Sequence, residues 1–110
     1  MSRQMAQLLG LLVTKTQSGV LSWEQGPSAD AYVTQIGNNS ILIRTQREDY
    51  LVSIFNENGS VVESFTDVSL SQDGIESAFE GMRDLHEMAR RNALGADRVI
   101  NDILNELSKS

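Results

Sequence analysis

The longest helical pattern in the chain covers residues 75–107, which read IESAFEGMRDLHEMARRNALGADRVINDILNEL. In its first part the apolar residues recur at steps of three and four, so they form one stripe on a helix of 3.6 residues per turn. They are Ile75, Ala78, Phe79, Met82, Leu85, Ala89 and Ala93. We expect this stripe to be buried. Ser71 or Asp73 can cap the start of the helix, and the helix should end at about residue 93 or 94.

A second apolar stripe follows Gly95. Its members are Val99, Ile100, Ile103, Leu104 and Leu107. Glycine readily takes the left-handed conformation that ends helices, and Asp97 is predicted to be the N-cap of the next helix. Two helices hinged at Gly95 and one long bent helix fit this pattern equally well.

The N-terminal residues 1–16 predict an amphipathic helix. Arg3 precedes a short apolar run, but Gly10 interrupts that run and no small-x-small cleavage site follows, so we do not expect an export signal. One helical face carries Met5, Leu8, Leu9, Leu12 and Thr16, with Gly19 as the predicted stop. This segment has too few apolar residues to cross a bilayer.

Between residues 20 and 65 the pattern indicates short strands. The candidate strands cover residues 20–23, 31–36, 40–45, 50–55 and 61–65. Asn58-Gly59 predicts a type I′ hairpin, because both residues tolerate positive φ angles. We therefore predict a single α+β domain over residues 1–110: an N-terminal helix, an antiparallel β-meander of four or five strands, and a C-terminal long or hinged helix pair packed on one face of the sheet.

The chain is acidic and lacks cysteine. Its net charge is -6, and residues 22–70 hold two arginines against seven acids, a local charge of -5. Phosphate backbones and anionic lipids repel such a chain, so we expect neither nucleic acid nor membrane as a partner. The missing cysteines remove disulfides and thiolate chemistry and suit a reducing, cytoplasmic compartment of bacterial type.

One flank of the first C-terminal helix carries a candidate anion site. Arg83, His86 and Arg90 lie three and four positions apart there, and Arg44 from the sheet is a further candidate donor. The other interpretation is a solvated flank balanced by interleaved acids, with His86 packed against the sheet. On that flank we expect an ion pair from Glu87 to Arg91.

Catalytic and metal motifs are missing from the sequence. A single histidine, without a G-x-S-x-G elbow, matches no catalytic triad, and the scattered acids match neither a zinc nor a calcium pattern. Asp67 is predicted to lie in a loop, and the pair Glu48-Asp49 is predicted to lie beside a turn. We therefore expect no enzyme activity, no cofactor and no metal.

The functional prediction depends on the stripe from Val99 to Leu107. Either the last helix folds back over the core, or the stripe is a protein interface. We predict a non-catalytic protein-interaction module, an adaptor, inhibitor or immunity-type protein acting on a basic partner, that forms a homodimer through its C-terminal helix. The alternative is a regulatory domain that binds a small anion or nucleotide through Arg83, His86 and Arg90.

Overall fold

The chain folds as the predicted α+β domain. The computed structural model describes the backbone of residues 2–72 and 78–109 and the side chains of residues 4–70 and 78–109. The elements are α1 (Ser2–Gln17), β1 (Trp23–Gln25), β2 (Tyr32–Ile36), β3 (Asn39–Gln46), β4 (Asp49–Phe55), β5 (Val61–Thr66), α2 (Asp67–Gln72), α3 (Ala78–Leu94) and α4 (Ala96–Ser108). The predicted helix start at residues 71–77 lies outside the residues whose side chains are described. None of the described helices combines the length and apolar character that a membrane span requires.

The five strands form one antiparallel sheet in the order β1-β2-β3-β4-β5. Each strand pairs with the next along the chain, because the connections are too short for any other arrangement. The first strand starts later than predicted: α1 ends at Gln17, Gly19 takes a positive φ of 80° and residues 20–22 lead into Trp23.

The hairpin between β4 and β5 is not the predicted type I′ turn. Only Gly59 has a positive φ, 82°, whereas type I′ would also require one at Asn58. The side chain of Asn56 explains the difference. Its Oδ1 accepts hydrogen bonds from the backbone N–H groups of Asn58 and Ser60, both at 3.0 Å. This local bonding favours a longer loop in which glycine alone is left-handed.

The core lies between one face of the sheet and helices α1 and α3. Strand register places Tyr32, Ile43, Val52 and Phe65 in one row across four strands on that face. From α3 the buried residues are Ala78, Met82, Leu85 and Ala89, and from α1 they are Leu9, Leu12 and Thr16. Both sets lie on the predicted stripes. The prediction is wrong for Phe79, which is 42% exposed. The N–H group of the Trp23 indole donates to Thr16 Oγ1 at 3.0 Å, which satisfies the one polar atom of a buried indole.

A short helix that the sequence pattern did not predict follows β5. Thr66 and Ser69 cap α2 reciprocally: each side-chain oxygen accepts the backbone N–H of the other residue, at 3.1 and 3.0 Å. Asp67 is therefore not in a loop but in the first turn of α2. It is buried, and its Oδ1 accepts the backbone N–H of Tyr50 at 2.9 Å, which attaches α2 to β4.

Candidate functional site

The apolar stripe of α4 is exposed along its whole length. Its side chains are Val99 (46% exposed), Ile100 (45%), Ile103 (52%), Leu104 (53%) and Leu107 (67%). Every residue from Asp97 to Lys109 is exposed, and α4 contacts the rest of the chain around its junction with α3. The stripe therefore does not fold back over α3 or the sheet. The longest dimension of the chain, 55 Å against 32 and 26 Å, agrees with a helix that extends from the body.

Gly95 breaks the helix between α3 and α4. It adopts φ 65° and ψ 38°, the left-handed conformation, which interrupts a right-handed helix after Leu94. The N-cap of α4 is Gly95, so α4 begins without a side-chain capping bond. The predicted N-cap at Asp97 is therefore wrong. Asp97 lies in the first turn, and its Oδ1 accepts from Arg91 at 2.7 Å across the junction. This ion pair helps to set the direction of α4 relative to α3.

Polar residues surround the stripe. By helical phase, Asp97 borders one side of it and Glu106 the other. The residues towards the back of α4 are Asn101, Asp102 and Asn105. The hydroxyl of Ser108 donates to the Leu104 carbonyl at 2.8 Å, and Lys109 pairs with Glu106 at 3.5 Å. An apolar centre with a polar border is the usual composition of a protein interface.

Arg90 on the α3 flank is engaged by an acid of its own helix. Its Nε lies 3.1 Å from Glu87 Oε2 and a terminal nitrogen lies 2.5 Å from Oε1, a bidentate pair. These hydrogen bonds hold the pKa of Glu87 below its usual value and raise the pKa of Arg90. The predicted pair between Glu87 and Arg91 is thus replaced, because Arg91 reaches across the junction to Asp97 instead.

The other two candidate arginines have surroundings different from those of Arg90. Arg83 pairs with Asp84 at 3.5 Å. Arg44 on β3 follows the buried inward-facing Ile43, so strand alternation places it on the sheet face opposite α3. The structure therefore brings Arg83, His86 and Arg90 to one flank of α3 and leaves Arg44 apart.

His86 is packed against the sheet, as the second interpretation of this flank expected. Its ring lies 5.3 Å from the Tyr32 ring, edge-on, and 5.4 Å from the Tyr50 ring. Its Nε2 lies 2.7 Å from the carbonyl oxygen of Asp30. Because a carbonyl only accepts, Nε2 carries a proton in this contact. The ring is thus held by two aromatic contacts and one hydrogen bond.

Two surface cavities in the described part of the chain each have a single carboxylate in their lining. One, of about 380 Å³, lies at the α3–α4 junction and includes Asp97. The other, of about 410 Å³, lies beside β1 and includes Glu24. Over the same residues, no group of three or more histidine, aspartate or glutamate side chains is arranged to hold a metal ion.

A second apolar surface, which the sequence did not single out, is the sheet face turned away from the buried Ile43 and Val52. Strand register places Val33, Leu42, Leu51 and Phe55 on it, beside the hydroxyls of Ser53 and Ser64. Leu42 and Ser53 are buried there, and Val33, Leu51 and Phe55 are partly exposed. The sequence does carry a signal for this surface, because apolar residues occupy consecutive positions in β3 and β4 and so point to both faces of the sheet. A strand with one face in water would carry polar residues at every second position.

Comparisons with models of known protein families, with curated proteins and with solved structures each give no match to this chain. The contacts and exposure of its own residues therefore carry the functional assignment.

Proposed function

We propose that this protein is a non-catalytic protein-interaction module that forms a homodimer through α4. The observation that carries the proposal is the row of five large apolar side chains on α4, each about half exposed or more. Single exposed apolar residues are ordinary on a protein surface, but a contiguous apolar row with a polar border indicates a binding site. A second copy supplies a matching row, so both are removed from water together.

The expected strength of this association follows from the exposed fractions. Full burial of a large aliphatic side chain contributes about 1.5–3 kcal/mol, so five half-exposed side chains contribute roughly 4–7 kcal/mol per copy. Two copies contribute roughly twice that amount, against an association cost of about 4–15 kcal/mol. The gain and the cost are of similar size, so we expect a reversible dimer whose population depends on protein concentration.

The acidic sheet region supports a basic protein as the further partner. Residues 22–70 carry a local charge of -5, and this segment includes the partly exposed Leu51 and Phe55 of the second sheet face. Acidic charge steers a basic protein towards the surface, and apolar residues such as Leu51 and Phe55 supply contact area once it arrives. An adaptor, inhibitor or immunity-type protein in the cytoplasm is the class of function that we propose.

The test compares two doubly substituted chains that carry the same added charge. Ile100→Asp with Leu104→Asp places two carboxylates in the stripe, whereas Asn101→Asp with Asn105→Asp places them off it on the same helix. We expect light scattering to give a monomer for the first chain and a dimer for the second, with both retaining the circular dichroism of the folded chain. If the stripe variant remains dimeric, α4 is not the interface.

Anion binding is tested on the same proteins. Because Arg83 and Arg90 are already paired with acids, we expect inorganic phosphate to leave the melting temperature unchanged. A rise in melting temperature that disappears in Arg90→Ala would instead support a regulatory domain that binds a small anion.

A further inference from the structure

The apolar positions of α4 read the same in both chain directions. They are Ala96, Val99, Ile100, Ile103, Leu104 and Leu107, with successive spacings of three, one, three, one and three residues. The pattern is therefore symmetric about the midpoint between Asn101 and Asp102. In an antiparallel pair of identical helices a two-fold axis brings each position opposite its mirror position in the partner, so this symmetric pattern places apolar residues opposite apolar residues.

We infer that the partner on this stripe is a second copy of the chain whose α4 runs antiparallel, with the two-fold axis between Asn101 and Asp102. This inference rests on the homodimer proposed above and gives its geometry. The axis brings Ile100 opposite the partner's Ile103, and Val99 opposite the partner's Leu104. Apolar side chains then meet apolar side chains at every level of the interface.

The ends of the helix fit the same arrangement. Leu107 has the largest exposed fraction of the stripe, and the two-fold axis places it opposite Ala96, where the small side chain leaves room. Ala96 also lines the cavity of about 380 Å³ at the α3–α4 junction, together with Met88 and Thr16. A leucine from the partner thus enters a concave site at the junction, and α4 ends where the partner's body begins.

Charge favours the antiparallel arrangement over the parallel one. Arg91 lies at the junction, where the partner's α4 would end, and a helix C-terminus carries the negative end of the helix dipole. A parallel pair would instead align helix ends of the same sign. The antiparallel pair also separates the two bodies to opposite ends of the helix pair.

Cysteine cross-linking tests this geometry in a chain that contains no cysteine of its own. In the antiparallel pair the two Leu107 positions are ~16 Å apart along the helix axis, too far for a disulfide, which needs Cα atoms within about 7 Å. Leu107→Cys alone should therefore form no disulfide dimer under mild oxidation. When the Leu107→Cys and Ala96→Cys proteins are mixed, a disulfide should form between position 107 of one copy and position 96 of the other. Asn105→Cys lies on the opposite side of α4 and is the matched control. It should form no disulfide dimer, either alone or mixed with Ala96→Cys.

The outcomes separate this geometry from the homodimer itself. The mixed disulfide between positions 96 and 107, without a disulfide between two 107 positions, supports the antiparallel pair. Rapid disulfide formation by Leu107→Cys alone, in a protein that light scattering shows to be dimeric, overturns the antiparallel geometry and leaves the homodimer in place. A monomeric mass for the unsubstituted chain, with no cross-link from any variant, overturns both.

Discussion

Replacing Ile103 by alanine should weaken the dimer without unfolding the monomer. Ile103 lies in the middle of the stripe and is 52% exposed in the single chain. The substitution removes three carbons worth about 0.8 kcal/mol each on complete burial, and dimerisation buries only the exposed half, about 1.2 kcal/mol per copy. Two copies lose about 2.5 kcal/mol, which corresponds to a dissociation constant roughly 50 to 100 times higher.

The assay is sedimentation equilibrium over a dilution series, combined with thermal unfolding of a sample dilute enough to be monomeric. In that dilute sample the melting temperature should change little, because alanine favours a helix and α4 has no buried residue. Leu85→Ala is the contrasting variant. Its side chain is fully buried under the sheet, so it should lose about 2–5 kcal/mol of folding stability while its folded fraction keeps the original dissociation constant.

The two measurements together can refute the assignment of Ile103. An unchanged dissociation constant with a large fall in melting temperature would mean that Ile103 belongs to the monomer core. An unchanged value of both quantities would mean that the stripe contributes to neither folding nor dimerisation.

Substitutions at three further positions test other features of the structure. Arg47 takes a positive φ of 58°, so Arg47→Gly should raise stability to urea by about 1 kcal/mol. Asn92→Ala leaves the backbone N–H of Trp23 without the Oδ1 that accepts it at 2.6 Å, so it should lower urea stability by about 1–3 kcal/mol; Asn92→Asp keeps an acceptor and should lose less. Arg90→Ala should raise the pKa of Glu87 in a carboxyl NMR titration. Because that pKa is depressed from 4.5, the small stabilisation should be present above pH 4.5 and be lost as the pH falls through the folded value.

Local patterns predicted most of the fold. Alternation in β3 assigns Ile41 and Ile43 to the buried face, and the step of three and four residues in α3 identifies Met82 and Leu85 as core. These predictions succeed because burial of one face sets a period of two in a strand and of 3.6 in a helix. The apolar period can be read within a single strand or helix, without knowing which elements pack against it.

Features that depend on a single side-chain bond were missed. The six residues of α2 are too few to show a helical period, and α2 begins with the reciprocal bonds of Thr66 and Ser69. The left-handed Arg47 is imposed by the pairing of Gln46 with Asp49 across a two-residue loop. Arg91 can pair with Glu87 or with Asp97, and the direction of α4 decides between them. The sequence does not define that direction, because Gly95 permits several.

The candidate site was predicted in part. The apolar period identified the stripe from Val99 to Leu107, but the period is the same for a helix that covers the core and for one that extends into solvent. Only the position of α4 beyond Gly95 shows that the stripe is uncovered. Likewise, spacing placed Arg83 and Arg90 on one flank, whereas their pairing with neighbouring acids required rotamers that spacing does not define.

The solution mass of the unsubstituted chain, measured by light scattering across a concentration series, tests the proposed homodimer most directly. A single chain has a mass of 12.1 kDa. We predict a mass that rises with concentration towards twice this value. A mass that stays at that of one chain up to the solubility limit would contradict the proposal that α4 pairs with a second copy.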